Sequence, residues 1–195
     1  MNKLRNIFAV LGVIALIALI VVIIKVVPVY QRLSSFDPEA YSTYSDMFSK
    51  ILASGNAVEA TVWKAKVKPG MTPADVEEVM RSVANEHNMK NVGELPLSQQ
   101  VEAMTDKKFR FLKIYLYCNP LTAAKMVDYS DAYSAYLPCR ITLIEDKQKQ
   151  LWIYTLNMDM MIHGGTPLPA DLKEEAIKVK TVIVDIMKRS ASGDF

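Results

Sequence analysis

The chain has few of the residues that build catalytic or metal centres. It contains two cysteines and two histidines in 195 residues, and these do not fall at the spacing of a self-contained structural zinc site. It has no glycine-rich phosphate loop, no Gly-x-Ser-x-Gly turn and no His-Glu-x-x-His helix. These absences exclude the commonest signatures of nucleotide binding, hydrolysis by an activated serine and zinc peptidase activity, so the motifs predict no reaction.

Excess charge of one sign is also lacking. Lysine and arginine number 23 against 21 acidic residues, which leaves a formal net charge of +2. No segment interleaves basic with aromatic residues, as a nucleic-acid surface would. We therefore expect no nucleic acid among the partners.

A long hydrophobic run stands near the N-terminus. Every residue from Ile7 to Ile24 is apolar or glycine, and the apolar character resumes after Lys25 and reaches Val29. About 20 such residues in a helix cross a hydrocarbon core of about 30 Å. The residues after Val29 offer no small-x-small cleavage pair, which favours an uncleaved anchor over a signal peptide. We predict a single transmembrane helix that contacts the lipid bilayer from Ile7 to Val29.

The basic residues around this run predict its orientation. Lys3 and Arg5 precede it while Lys25 and Arg32 follow it, so the count is nearly balanced. A very short basic tail before a long apolar run is typical of a signal-anchor. We predict an N-terminus in the cytoplasm and a C-terminal domain in the periplasm, with the anchor in a bacterial inner membrane.

The rest of the chain is long enough for one domain with a core. We predict an anchor over residues 1–30, a stalk helix or linker over 31–56, an α+β domain over 57–190 and a frayed tail over 191–195. The helix that Asp37-Pro38-Glu39 opens carries an apolar stripe, and two interpretations stay open. It is either a stalk between anchor and domain, or a helix packed on the domain.

Strands and helices are not regularly interleaved in the predicted domain. Strands are predicted over 57–67, 91–97, 109–118, 139–145 and 150–156, and helices over 73–88, 97–105, 121–129 and from Asp171 onward. This order is typical of a mostly antiparallel sheet with helices layered on one face. His87 is interpreted as a packed or surface residue, and Glu77 and Glu78 as a solvated helix flank.

The two cysteines are the first candidate site. Cys118 shares a strand face with Leu112, Ile114 and Leu116, and Cys139 shares one with Ile141 and Leu143. Strand side chains alternate, so both sulfurs are predicted on the apolar side. Three alternatives stay open: a disulfide worth about 3 kcal/mol, two inert buried thiols, or a reactive or metal-binding pair.

A methionine-rich segment is the second candidate site. Thioether and imidazole ligands suit Cu(I), and they occur here at Met158, Met160, Met161 and His163. No Met-x-x-Met repeat accompanies them, and methionine is also a common filler of cores. Copper is therefore the one cofactor that these residues suggest. The alternative is that the methionines simply fill space in the core.

Two short motifs carry a resemblance to a known family. Leu116-Tyr117-Cys118-Asn119-Pro120, followed by Leu137-Pro138-Cys139-Arg140-Ile141, an acidic turn and a second strand, resembles the domain-of-unknown-function 302 family. The resemblance covers about residues 57–190. It implies a small α+β domain with one antiparallel sheet and helices on one face, often paired as a dimer. It implies no reaction.

These observations favour a membrane-anchored extracytoplasmic binding or interaction module over an enzyme. We expect a dimer or an accessory subunit of a larger membrane complex, with a pocket bounded by Cys118, Asn119, Arg140 and the loop from Met158 to His163. The alternative is a thiol-redox or copper-handling protein that uses Cys118, Cys139 and the same loop.

Overall fold

Residues 2–195 are described by the structure, a computed structural model, with side chains from residue 6 onward. The helices are α1 (Asn2–Ser34), α2 (Ala40–Ser54), α3 (Ala57–Ala60), α4 (Pro73–Glu86), α5 (Leu97–Thr105), α6 (Pro120–Tyr129), α7 (Asp159–His163) and α8 (Ala170–Ser192). The strands are β1 (Val62–Lys66), β2 (Lys90–Leu95), β3 (Leu112–Cys118), β4 (Cys139–Glu145) and β5 (Leu151–Leu156), and a 3-10 helix spans Asp131–Tyr136.

The five strands form one antiparallel sheet in the order β1-β5-β4-β3-β2. A tight polar turn joins β4 to β5, where Asp146 accepts hydrogen bonds from the backbone of Gln148 and Gln150. Helices α4 and α8 contact each other and contact strands of the sheet. The predicted α+β class, a mostly antiparallel sheet with helices, is confirmed.

The hydrophobic core lies between the sheet and these helices. Its largest fully buried side chains include Tyr117 of β3, Ile141 and Leu143 of β4 and Ile153 of β5. On β3 the buried positions are the tyrosines, whereas Leu112, Ile114, Leu116 and Cys118 are only half-buried. Cys118 is therefore on the strand face opposite the two buried tyrosines, although at the end of the strand it lines a cavity with the buried Met126 and Met158. Tyrosine occupies the core face here because its ring is apolar and its hydroxyl can reach a polar partner at the edge.

Helix boundaries follow local capping chemistry. The Thr72 hydroxyl accepts from the Asp75 N–H while the Asp75 carboxylate accepts from the Thr72 N–H, and this reciprocal capping box starts α4 as predicted. Residues 57–60 form α3 instead of strand, because the Asn56 side chain accepts from the Val58 N–H and starts a helical turn. Only Val62–Lys66 of that predicted strand enters the sheet.

The last helix differs from prediction at both ends. It starts at Ala170 after Pro169, so Asp171 lies in the first turn and does not cap it. It continues to Ser192, and the Ala191 carbonyl accepts from the Lys68 N–H at 2.8 Å. Ala191 is buried and Ser192 ends the helix, so of the predicted tail only the last residues, such as the exposed Phe195, lie beyond it.

The N-terminal helix stands apart from this core. Within α1, the candidate span Asn6–Ser34 contains an 18-residue window with a mean hydropathy of 3.5, none of which is buried, so this helix is long and apolar enough to span a membrane. The side chains of Lys3 and Arg5, on which the predicted orientation depends, lie outside the described residues. Helix α2 contacts the domain at α3 and α7, and the Tyr44 hydroxyl donates to the Gly164 carbonyl at 2.6 Å.

A core truncation tests the packing of α8 on the sheet. Ile183 is fully buried whereas Ile177 on the same helix is 38% exposed. We expect Ile183→Ala to lower the free energy of unfolding by about 3 kcal/mol, because it leaves a cavity, and Ile177→Ala by less than about 1 kcal/mol. Urea denaturation of the full chain in mild detergent, followed by tryptophan fluorescence, measures both. Equal losses for the two variants would contradict this placement of the core.

Candidate functional site

The residues predicted as one site do converge at one end of the sheet. Cys118, Asn119, Cys139, Met158 and Met161 line one cavity of about 30 Å³. Arg140 lines an adjoining cavity of about 20 Å³ together with Cys139, Met158 and Met161. A volume of about 30 Å³ is the share of one water molecule in the liquid. The cavity is therefore too small for an organic substrate.

The two cysteines are free thiols. Tyr117 is the register partner of Cys139, so strand alternation places the Cβ of Cys118 on the opposite face of the sheet from that of Cys139. The structure therefore holds two separate thiols at the same cavity, without a bond between them. Burial raises the pKa of Cys118, and burial with the neighbouring Cys118 thiol raises the pKa of Cys139 to about 11. Thiols with raised pKa values are poor nucleophiles and poor metal ligands at neutral pH.

Asn119 has a structural task in this region. Its side-chain oxygen accepts hydrogen bonds from the Leu121 and Thr122 N–H groups at 3.2 and 3.3 Å, and it thereby caps α6. Pro120 at the first helical position completes a common helix start. The Cys-Asn-Pro motif is thus explained by the strand-to-helix junction that it builds.

The methionines and His163 do not share one site among the residues with described side chains. Met158 and Met161 line the small cavity beside Cys139, while Met160 is 37% exposed and lines a groove with Tyr129 and Tyr136. His163 is buried, and its ring nitrogens face carboxylates, with Nδ1 3.3 Å from Asp37 and Nε2 3.6 Å from Glu39. The four predicted copper ligands therefore have different neighbours.

A buried ion pair at the junction of anchor and domain escaped the sequence analysis. The Asp37 carboxylate is fully buried, and it accepts from the Lys173 ammonium at 2.5 Å and from the Glu39 N–H at 3.0 Å. Burial raises the pKa of Asp37, but the hydrogen bonds from Lys173 and Glu39 outweigh burial and hold that pKa below its ordinary value. The sequence around Asp37 indicates only the start of a helix. The partner of its carboxylate lies 136 residues away, and no local pattern reveals it.

One ligand atom each from Asp37, Glu39 and His163 lies within 4.8 Å of the others, a spacing that could hold a metal ion. The Lys173 ammonium already supplies a cation at Asp37, and the Glu39 side chain is mostly exposed. We call Asp37, Glu39, His163 and Lys173 the junction cluster. We interpret it as a group of ion pairs that fixes the start of α2 to α8.

A second network lies where α4 crosses the edge of the sheet. The Lys113 ammonium contacts Glu77 at 3.1 Å and Glu94 at 2.7 Å, and the Tyr115 hydroxyl donates to Glu77 at 2.6 Å. Burial lowers the pKa of Lys113, but these two carboxylates outweigh burial and raise it above its ordinary value. The interpretation of Glu77 as part of a solvated flank is therefore wrong. His87 also has a carboxylate partner, Asp185, at 2.8 Å, and this pair joins α4 to α8.

The face of the sheet opposite the core carries a third feature, three rows of side chains that we call the open face. Its residues lie side by side on β5, β4 and β3: Trp152, Ile144 and Leu112; Tyr154, Thr142 and Ile114; Leu156, Arg140 and Leu116. Arg140 is exposed and the other eight are half-buried. Lys64 of the edge strand β1 lies 5.9 Å above the Trp152 ring.

The composition of the open face is unusual for the side of the sheet that lies away from α4 and α8. Such a strand normally alternates apolar and polar residues, whereas β5 reads Leu-Trp-Ile-Tyr-Thr-Leu and is apolar or aromatic on both faces. This pattern is typical of a strand covered on both sides. It is the sequence signal that could have identified the open face.

Comparison with known proteins identifies the domain. A family model described as "Domain of unknown function DUF302" matches residues 63–190, which is more than half of the chain. The chain belongs to the DUF302 family. The match covers the sheet and α4 to α8, while α1, α2 and α3 lie outside it. The resemblance predicted from the sequence is confirmed at the level of the family.

A solved structure shares the architecture of this DUF302 domain. The crystal structure of an uncharacterized conserved DUF302 protein from Bacillus stearothermophilus has 15% sequence identity and a TM-score of 0.53, and the alignment covers 67% of this chain and 98% of that chain. At this identity the likeness shows the fold alone. No curated protein gives a significant match.

Thiol titration tests the chemistry of the two cysteines in the DUF302 domain. Burial is the larger cause of the raised Cys139 pKa and persists when Cys118 is replaced. Cys139 in a Cys118→Ser variant should therefore react with a maleimide at pH 8 at least about 10-fold more slowly in the folded chain than after unfolding. We expect two thiols per unfolded wild-type chain without added reductant, counted by mass spectrometry. Fewer than two would show a disulfide, and equally fast labelling of folded and unfolded chain would show a reactive thiol.

Replacing Lys173, the cation of the junction cluster, tests whether these ion pairs stabilise the fold. Lys173→Met leaves the Asp37 carboxylate buried without its partner, so we expect a loss of about 3 kcal/mol in unfolding free energy near pH 7. Lys178→Met on the same helix removes only an exposed pair with Glu174 and should cost less than about 0.5 kcal/mol.

The pH dependence of the same unfolding free energy tests whether Asp37 stabilises the folded state as an ionised carboxylate. A lowered pKa of Asp37 stabilises the folded state above the ordinary carboxyl value of about 4, and this contribution disappears as the pH falls through the folded-state pKa. The difference between wild type and Lys173→Met should therefore shrink in acid. A difference that does not change between pH 7 and pH 2 would contradict the role of Asp37.

Proposed function

We propose that this chain is a single-pass membrane protein whose DUF302 domain binds another protein through the open face. The binding partner that fits this geometry most simply is a second copy of the chain. The alternative partner is a subunit of a larger membrane complex. The observation that carries the proposal is the open face itself, with its apolar rows and no helix of α4 and α8 on that side.

The size of the open face supports a protein partner. Three strands about 4.8 Å apart and three rows about 7 Å apart give a flat footprint of about 300 Å². This is within the range of the largest apolar patch on a typical monomer, which is often functional. A standard interface buries about 800 Å² on each partner, so the strand edges and loops around the rows would add to the contact.

Self-association suits the symmetry of this surface. Two sheets pack face to face about 10 Å apart when their inner faces are apolar, and a two-fold axis lets one patch cover its own copy. Anchoring both copies in one membrane raises their effective concentration, so a modest patch suffices. Lys64 and Arg140 border the apolar centre and would lie at the rim, where charge is tolerated.

The location follows from the anchor. The apolar helix supports attachment to a membrane. We propose a bacterial inner membrane, with the N-terminus in the cytoplasm and the domain in the periplasm, because a very short basic tail precedes a long apolar run. Attachment to the membrane would present the open face to neighbours in the same bilayer.

A charge placed on the open face tests the proposal. Ile114 lies in the middle row and is half-buried, so a lysine there can reach water in a monomer but not in a packed interface. We expect wild type to be a dimer in mild detergent by light scattering, and Ile114→Lys to raise the dissociation constant at least about 100-fold. Leu121→Lys, at a position 78% exposed on α6, is the matched control and should remain dimeric.

Photo-crosslinking in native membranes separates the two occupants. A benzophenone side chain at Tyr154, on the open face, should crosslink to a second copy of the chain or to one other membrane protein. The same side chain at Tyr129, 44% exposed in another part of the domain, should give neither product. A monomer in mild detergent together with no product from Tyr154 would refute the proposal.

A further inference from the structure

Helix α2 carries an exposed apolar ridge formed by Tyr41, Phe48 and Leu52. These side chains are 84%, 60% and 70% exposed, which is high for large apolar residues on one helix. Their spacing of seven and four residues places them within about 40° of one another around the helix. The three lie along one side of the helix, with the polar Ser45 between Tyr41 and Phe48.

The ridge points away from the DUF302 domain. Ala40 is buried and the Tyr44 hydroxyl donates to the Gly164 carbonyl, so the side of α2 next to the domain is a different one. The side opposite Phe48 is polar and carries the exposed pair of Lys50 and Asp46 at 2.6 Å. Within the described part of the chain, α2 is therefore amphipathic with its apolar stripe unpartnered.

The chain geometry places this ridge close to the bilayer. If α1 spans the membrane with the apolar run that ends at Val29, then Ser34 lies about 8 Å beyond it, where the headgroup layer is about 5–8 Å thick. The chain then turns tightly, since the N–H groups of Ser35 and Phe36 donate to the carbonyls of Arg32 and Leu33. The Asp37 N–H next donates to the Gly165 carbonyl of the domain at 2.8 Å. Only residues 35–39 separate α1 from α2, so the start of α2 lies near the end of α1.

We infer that α2 lies along the membrane surface with Tyr41, Phe48 and Leu52 inserted in the headgroup layer. This inference rests on the proposed function, because it needs α1 to be the anchor. Tyrosine and phenylalanine favour the bilayer interface, and an amphipathic helix next to a transmembrane helix joins the interface that the anchor already occupies.

The size of the ridge favours a bilayer over a second copy of α2. Three side chains along about 17 Å of helix cover far less than the roughly 600 Å² per partner that even a small stable interface buries. Because the junction cluster and the Tyr44–Gly164 hydrogen bond join α2 to the domain, seating α2 on the lipid fixes the orientation of the open face relative to the membrane.

Fluorescence quenching by lipid tests the inference in the full chain. Ser45→Cys, one turn before Phe48 on the ridge side, and Lys50→Cys, on the polar side, are labelled with bimane in phosphatidylcholine nanodiscs. A fraction of the lipid carries a nitroxide on its headgroup. We expect the Ser45 label to lose at least about half of its fluorescence and the Lys50 label less than about a tenth. The chain without an added cysteine measures background labelling of Cys118 and Cys139.

A label at Tyr30, at the end of the apolar run, separates failure of the inference from failure of the proposed function. If the Tyr30 label is quenched while Ser45 and Lys50 labels stay equally bright, α1 is the anchor and the seating of α2 is wrong. If the Tyr30 label is not quenched, α1 is not in the bilayer and the proposed function fails with the inference.

Two further results decide between lipid and protein as the occupant. Phe48→Ser with Leu52→Ser should reduce quenching of the Ser45 label at least about threefold without changing the thermal midpoint, because both side chains are mostly exposed. If a bismaleimide joins the unlabelled Ser45→Cys thiols of two copies and lipid does not quench the bimane at Ser45, the ridge pairs two helices and the inference is overturned.

Discussion

The packing of α4 and α8 against one face of the sheet is the constraint on which the rest of the structure depends. Helices α4 and α8 pack against each other and bury Tyr117, Ile141 and Ile153 on one side. An antiparallel sheet tolerates water on its second face when that face is polar. Here the second face is built from tryptophan, tyrosine, isoleucine and leucine, and its burial would remove apolar surface from water at about 25 cal/mol per Å². That surplus of apolar surface is the physical basis for interpreting the domain as a binding module.

Two buried polar networks position the elements around this sheet. The pair of Asp37 and Lys173 links the start of α2 to α8, and the network of Glu77, Lys113 and Glu94 links α4 to the edge of the sheet. Partnered buried charges contribute more to orientation than to net stability, because desolvation offsets much of their attraction. Their effect is to connect the segment that leaves the anchor rigidly to the domain that carries the open face.

The residues of the candidate site lie together for structural reasons and not for a chemical one. Cys118, Asn119, Cys139 and Met158 were predicted to lie together, and they line one cavity. The cavity has room for about one water, the asparagine caps a helix and the thiols are held protonated by burial. The motif that carries the family resemblance is therefore explained by how β3, α6 and β4 join.

Local patterns in the sequence determined the long apolar N-terminal run, the capping box before α4, the strands β4 and β5 with their turn, and the α+β class, because each depends on neighbouring residues alone. The tertiary structure decided which face of β3 is the core, since alternation defines two faces but cannot say which one a helix covers. It also decided the partners of Asp37, Glu77 and His87, because contacts between residues distant in the chain arise only when the elements pack. The open face depends on both the sequence and the tertiary structure. Its apolar residues can be recognised in the sequence of β5, but only the packing of α4 and α8 on the other face decides that they lie outside the core.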